Sequence, residues 1–431
     1  MNNSNKRISK YIPLFNRTDI NKIILISDIL SKLTYDEIVL LKKKVPKLFH
    51  GLFKVKYLRR CSYSEVASSG SYIQKGDDII EYFGTLAYIF EQHKDILNLF
   101  VGLLSQFEKH FLLGDFNKCL DILHEINDRV SYSYWGADIE IKLSRLITGL
   151  PGATTKHNEI FAENNRFSFL YNFSLKTSAI DTPFDSEVEH ILKRIDNQET
   201  KEFVIFHSFP FIDNKEGSWI YSNSTFSIID LYCGFIYSLD CLSDETINNK
   251  KFLRFFNIIS STIDDYRLKK RCCLYNKKFD DIKNEKERQE IISDYLWNNY
   301  EGVVIKGECY IVEKPFDISI IDLYVKSCIL TGKEITGADT DSSIIQKIIY
   351  YYYRYLLNNN ESEIFEKKLI NICKVWYNIP SIKHLYLMIE DRSSNDITQL
   401  SKNYWRSSLL FYLCKCASKE TWKTFTSNQN Y

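Results

Sequence analysis

The chain has 431 residues, 45% of them hydrophobic and 26% charged, with a formal net charge of +1 at pH 7. That length accommodates two or three domains with a substantial buried core. Its 15 Gly and 7 Pro make about 5% of the chain against a usual share of about 12%, which excludes a turn-rich β architecture and points to long helices with short corners.

The charge is unevenly placed. Residues 1–60 carry fourteen Lys or Arg against four Asp or Glu, a surplus of +10 that leaves −9 for the remainder. Its densest part is Lys42, Lys43, Lys44 and Lys47, followed by Arg59 and Arg60. These six are the candidate contacts to an anionic partner such as nucleic acid. The competing expectation is a helical cap whose charge meets the acidic remainder. Leu48, Phe49, Leu52 and Phe53, interleaved with the basic residues, read as one buried helix face rather than as base-stacking aromatics.

A polar segment with Gly70 and Gly76 follows, and from residue 79 to 150 the pattern is helical almost throughout. Leu103, Leu104, Phe107, Phe111 and Leu112 form one stripe; Phe116, Cys119, Leu120, Leu123 and Ile126 form the next. Only Gly114 and Asp115 interrupt them, so the spacing predicts an antiparallel helical hairpin. Gly114 is placed to close the first helix in the left-handed conformation and Asp115 to cap the second. Tyr134 and Trp135 open a further helix, which Leu150, Pro151 and Gly152 end.

The run from Gly114 to Leu123, with Phe116 after the Gly-Asp corner and Cys119 at the small position three residues later, resembles the turn and second helix of a tetratricopeptide repeat. Leu103 and Phe107 depart from that family's usual Trp and small residue. The resemblance covers roughly one repeat of about 34 residues. It implies stacked helical hairpins and a binding role, and no chemistry.

Between residues 151 and 224 helical pieces alternate with breakers, and 203–206 (Phe-Val-Ile-Phe) reads equally as a short strand or a buried helical turn. Helical patterns return over 226–242 and 252–263. Residues 302–312, β-branched around Gly307, are the candidate small β element, a hairpin. Ile344, Ile348, Tyr352 and Leu356 then run at steps of four, and Phe365, Leu369, Ile372, Cys373 and Trp376 form the return stripe of a second helical hairpin. Further helices are expected from Ser381 and over 404–419, with a frayed tail.

The eleven cysteines sit mostly inside apolar patterns, as reduced buried thiols do. Neither Cys272-Cys273 nor Cys414-x-Cys416 has a zinc spacing, so no metal and no cofactor is expected. The first residues lack the apolar core of a signal peptide. Apolar runs such as 96–104 fall short of the roughly 20 residues a span requires. The expectation is a cytoplasmic protein without membrane contact.

Three constellations touch on catalysis. Asp138, Glu140 and Lys142 contain the Glu-x-Lys pair of metal-dependent nucleases, but such a pair works from a strand, and here it falls on a helical pattern where positions two apart diverge by about 200°. Residues 301–306 (Glu-Gly-Val-Val-Ile-Lys) resemble a motif of nucleotide-dependent nucleic-acid ligases, in which Lys306 would meet a phosphate; the Lys-x-Asp-Gly nucleophile that family needs is absent from this chain. Eight histidines include His110 and His124, which flank the first hairpin and are placed to face one another. No Walker-type or dinucleotide-binding glycine loop occurs, nor a nucleophile elbow.

The reading is a mostly α fold, an irregular stack of antiparallel helical hairpins resembling tetratricopeptide solenoids. A basic helical segment (1–75) leads the repeat-like hairpins (76–150), an irregular, mainly helical middle (151–315) and C-terminal hairpins (316–431). The expected function is a non-catalytic interaction subunit or adaptor holding a protein partner, with a bacterial defence or mobile-element setting suggested by coding bias. The alternatives are a nucleic-acid-binding subunit using residues 1–60, and a metal-dependent nuclease or other enzyme whose site is assembled from distant residues.

Overall fold

The computed structural model describes residues 7–15, 33–44, 59–68, 79–161, 168–178, 184–194, 227–239, 242–275, 286–336, 342–357 and 360–393. Regular structure among the described residues is helical throughout, with no strand. In chain order the helices are α1 (Ile12–Phe15), α2 (Tyr35–Lys44), α3 (Tyr63–Ser68), α4 (Ile79–Gln92), α5 (Lys94–Leu113), α6 (Phe116–Arg129), α7 (Tyr134–Phe161), α8 (Ser168–Lys176) and α9 (Phe184–Leu192). There follow α10 (Ile228–Ser238), α11 (Asp244–Ile247), α12 (Lys250–Thr262), α13 (Tyr266–Tyr275), α14 (Lys286–Leu296), α15 (Tyr300–Glu313), α16 (Ile318–Thr331), α17 (Ile344–Leu356), α18 (Ser362–Val375) and α19 (Pro380–Ser393). The short segment 203–206, the pattern over 404–419 and the pair Cys414-x-Cys416 lie outside the described residues, as does Lys47.

The chain divides into two compact units. The first draws on Met1–Leu104, Leu120–Ser178 and Asp185–Lys278. Its core is aromatic: Phe83 of α4 meets Phe252 of α12 edge-on at 4.9 Å, and Phe90 meets Phe235 of α10 at 5.3 Å. Burying each such ring contributes about 1.5–3 kcal/mol. α4 and α12 approach closely because Gly84 lies between them; a Cβ there would come within 3.0 Å of the Phe255 ring.

α7 begins under a carboxylate from elsewhere in the chain. Asp230 of α10 accepts the backbone N–H groups of Tyr134 (3.1 Å) and Trp135 (3.0 Å), and the Ser227 hydroxyl donates to it at 2.9 Å. Gly149 then interrupts α7 with φ 72° and ψ −166°, a conformation essentially reserved for glycine. Helical geometry resumes at Leu150, and Pro151 falls in the first turn of the new run, where its fixed φ and missing N–H are tolerated. The expected helix end at Leu150–Gly152 is thus a break one residue earlier, with a second helical run beyond it.

The second unit draws on Ser105–Cys119, Ala179–Phe184 and Phe279–Tyr431. From α14 to α19 successive helices pack on one another, except that α16 also meets α14 and α19. The predicted corner is present: Gly114 takes φ +85°, and the N–H of Asp115 returns to the His110 carbonyl at 2.9 Å, the helix-closing pattern that left-handed glycine allows. The Asp115 carboxylate, expected to cap α6, instead bonds His110 Nδ1 (3.0 Å) and Lys118 Nζ (3.5 Å). The second predicted hairpin is α17 with α18, and Ser343 and Gln346 form a reciprocal capping box at the start of α17.

The candidate β element at 302–312 is a correction: those residues lie inside α15. Val303, Val304, Gly307, Tyr310 and Ile311 recur at steps of three and four and are buried, and Asn299 caps the start by accepting the Gly302 N–H. Burial of one helical face outweighs the strand preference of β-branched residues, which is under about 1 kcal/mol each.

Candidate functional site

The break at Gly149 lies beside a polar pocket of the first unit. Glu140 precedes the break and Lys156 follows it; the two are sixteen positions apart, which in a straight helix would separate them by about 24 Å. Here Lys156 Nζ lies 3.2 Å from Glu140 Oε1 and 2.7 Å from Glu159 Oε2. α3 supplies the opposite side: the Tyr63 hydroxyl donates to Glu140 Oε2 at 2.6 Å and accepts from Asn127 Nδ2 at 3.1 Å. His124 Nε2 stands 3.6 Å from Glu140 Oε1, and the Tyr63 and Tyr132 rings meet edge-on at 4.8 Å. The pocket is open to solvent and has a volume of about 370 Å³.

The electrostatics follow from burial and neighbours. Tyr63 is held well above the ordinary phenol range by burial first and by the adjoining Glu140 charge second, so its proton stays on as a donor. Tyr132 is raised by burial and then by Asp128 and Glu140. Burial works against the Lys156 ammonium, but its hydrogen bond to Glu159 and the charge of Glu140 outweigh it, so the amine is more basic than usual. The carboxylate of Glu140 is 5% exposed and has both oxygens engaged. Among the described residues no group of His, Cys, Asp and Glu is placed to hold a metal ion.

The Glu-x-Lys pair resolves as its helical spacing requires. Lys142 turns away from Glu140 and pairs with Asp138 at 2.8 Å, one helical turn back, with both side chains buried. Lys306 pairs with Asp294 of the preceding helix α14 at 2.8 Å. His110 and His124, expected to face one another, each have their own acid, Asp115 and Glu140.

The basic residues near the N-terminus are divided between roles. Lys43 and Lys44 are exposed at the last turn of α2, and Lys42 lies on the same helix. Arg59 donates to the Asp128 carbonyl at 2.5 Å, and the backbone of Arg60 is tied to Ser131 Oγ (2.8 Å) and to the Tyr132 N–H (3.0 Å). Those bonds lay the residues leading into α3 against the end of α6 and so set one wall of the pocket.

The second unit carries a different feature. On α15, Ile305 is 67% and Val312 66% exposed, seven residues and about two turns apart on one face. Trp297, in the turn just before α15, is 78% exposed. The exposed acids Glu301, Glu308 and Glu313 border the stripe, and Lys333 neutralises Glu308. Reading 302–312 as a hairpin hides this face; helical periodicity alone places Ile305 and Val312 opposite the buried Val303, Gly307 and Tyr310. No helix among the described residues is long and apolar enough to cross a membrane. No family model, no curated protein and no solved structure matches the chain.

Proposed function

We propose that the protein is a non-catalytic interaction subunit that holds a protein partner, built from stacked helical hairpins of the tetratricopeptide kind. The observation that carries this reading is the apolar stripe of α15, where Ile305, Val312 and the neighbouring Trp297 stand in water. Contiguous exposed apolar side chains with a charged border mark protein contact surfaces. The occupant is an amphipathic helix of a partner protein with Lys or Arg beside its apolar stripe, because Glu301 and Glu313 border this one. The resemblance of the Gly114 corner to a repeat turn supports the same class of function.

The test is capture by the tagged full chain from its native host, with and without nuclease, alongside the variant Ile305→Asp/Val312→Asp. A stoichiometric protein that survives nuclease and is lost with the variant supports the reading. Its retention by the variant overturns it. The second reading, nucleic-acid binding, is favoured by the exposed Lys43 and Lys44; co-purifying nucleic acid released at moderate salt and lost in Lys43→Glu/Lys44→Glu would replace the first.

A further inference from the structure

We infer that the pocket between α3 and the two halves of α7 binds a small organic cation, an ammonium or guanidinium group on a short apolar stem. This site belongs to the first unit and is independent of the α15 face.

The charge sets the sign of the ligand. Two carboxylates, Glu140 and Glu159, face one ammonium, Lys156, which leaves one negative charge in excess with histidine counted neutral. Glu140 is buried and saturated by Tyr63 and Lys156, so its field is poorly screened within the pocket. Glu159 is 57% exposed and gives one oxygen to Lys156, which leaves the other for a ligand. An anion would meet two carboxylates. A bare metal ion would meet the Lys156 ammonium seated between them.

The walls set the rest. Tyr63, Tyr132 and Ile160 line the same space, giving a stem apolar contact and a cationic head an aromatic ring. A volume of about 370 Å³ is at the low end for small-molecule sites and fits a few carbon atoms with one charged head. The arrangement forms a pocket because α7 breaks at Gly149, which brings Lys156, Glu159 and Ile160 to the same space as Tyr63.

The experiment titrates the full chain by calorimetry with n-butylammonium and ethylguanidinium, using butyrate at matched ionic strength as the anionic control. Saturable binding of the cations without binding of butyrate is expected. Glu159→Gln, at a position 57% exposed, should weaken the cations by about fivefold to tenfold, with circular dichroism confirming the fold. Lys156→Met, which removes the competing ammonium, should tighten them by a similar factor, with circular dichroism confirming the fold. Butyrate binding as well as the cations, indifference to Glu159→Gln, or no saturable binding of either cation at millimolar concentration would each overturn the assignment.

Discussion

The Asp230 carboxylate takes the Trp135 N–H at 3.0 Å across 95 residues of sequence, so α10 adds a second cap to the one Ser133 gives α7 locally by accepting the Gly136 N–H at 2.9 Å. Burial pushes Asp230 up to about 6, against the pull of the Trp135, Tyr134 and Ser227 hydrogen bonds. Its contribution is therefore present below the ordinary carboxylate value near 3.8 and lost as pH rises through 6, by about 3 kcal/mol. His93 runs the other way. Burial lowers it from 6.5 to about 4, so the unfolded chain binds the proton first and stability is gained as pH rises through 6.5, again by about 3 kcal/mol. Between pH 4 and 6.5 the two nearly cancel. Denaturant unfolding against pH should show Asp230→Asn rising more steeply than the parent over this window and His93→Phe falling. Parallel profiles for all three would refute the linkage.

Gly149 and Gly102 make a matched pair of opposite sign. Gly149 holds φ 72°, ψ −166°, so Gly149→Ala should cost about 1–3 kcal/mol and loosen the contact of Lys156 with Glu140. Gly102 lies on the exposed side of α5, where an added methyl would have nothing within 4 Å, and Gly102→Ala should stabilise by about 0.5–1 kcal/mol. Thermal melts of the two variants decide both.

The buried pair of Asp138 and Lys142 should respond to single and double replacement very differently. Lys142→Met leaves a carboxylate in the core and should cost about 3–5 kcal/mol. Adding Asp138→Leu should restore much of that loss, because the pair's attraction largely offsets its own desolvation. A double mutant no more stable than the single would show that Asp138 has a role beyond pairing.

Glu108 is a second buried acid acting at a helix start, accepting the Ser381 N–H of α19 at 2.8 Å. Glu108→Ala should destabilise the second unit by about 1–3 kcal/mol, and Glu108→Gln, which keeps an acceptor, by clearly less. Equal losses in the two variants would rule out capping as the cause.

Much of the helical architecture is legible in the chain. The steps of four from Ile344 to Leu356, and the two-residue gap at Gly114, report one-sided burial at a period of 3.6, which needs no tertiary information. α15 reads wrongly because Val303, Val304 and Ile305 are β-branched, and their local preference masks the spacing of its buried positions. The pairing of Lys142 with Asp138 rather than Glu140 follows from helix geometry alone, since four residues return to the same face. The pocket is not legible. Tyr63 sits in a segment that reads as polar loop, and its contact with Glu140 depends on the break at Gly149, whose direction no local pattern encodes. Asp230 and Glu108 are equally silent in sequence, because a cap supplied from another helix leaves no local signature.

The acids beside the α15 stripe also act on the chain's own behaviour. Two copies that met through Ile305 and Val312 in an antiparallel sense would bring Glu301 of one towards Glu313 of the other. Like charges there oppose the contact, as gatekeeper residues do beside exposed apolar segments. That protection is Coulombic and fades as the Debye length falls from about 10 Å at 0.1 M salt to about 3 Å at 1 M. Purified alone, the chain should therefore stay monomeric in dilute buffer and self-associate in concentrated salt, the reverse of what an ion-paired dimer would do.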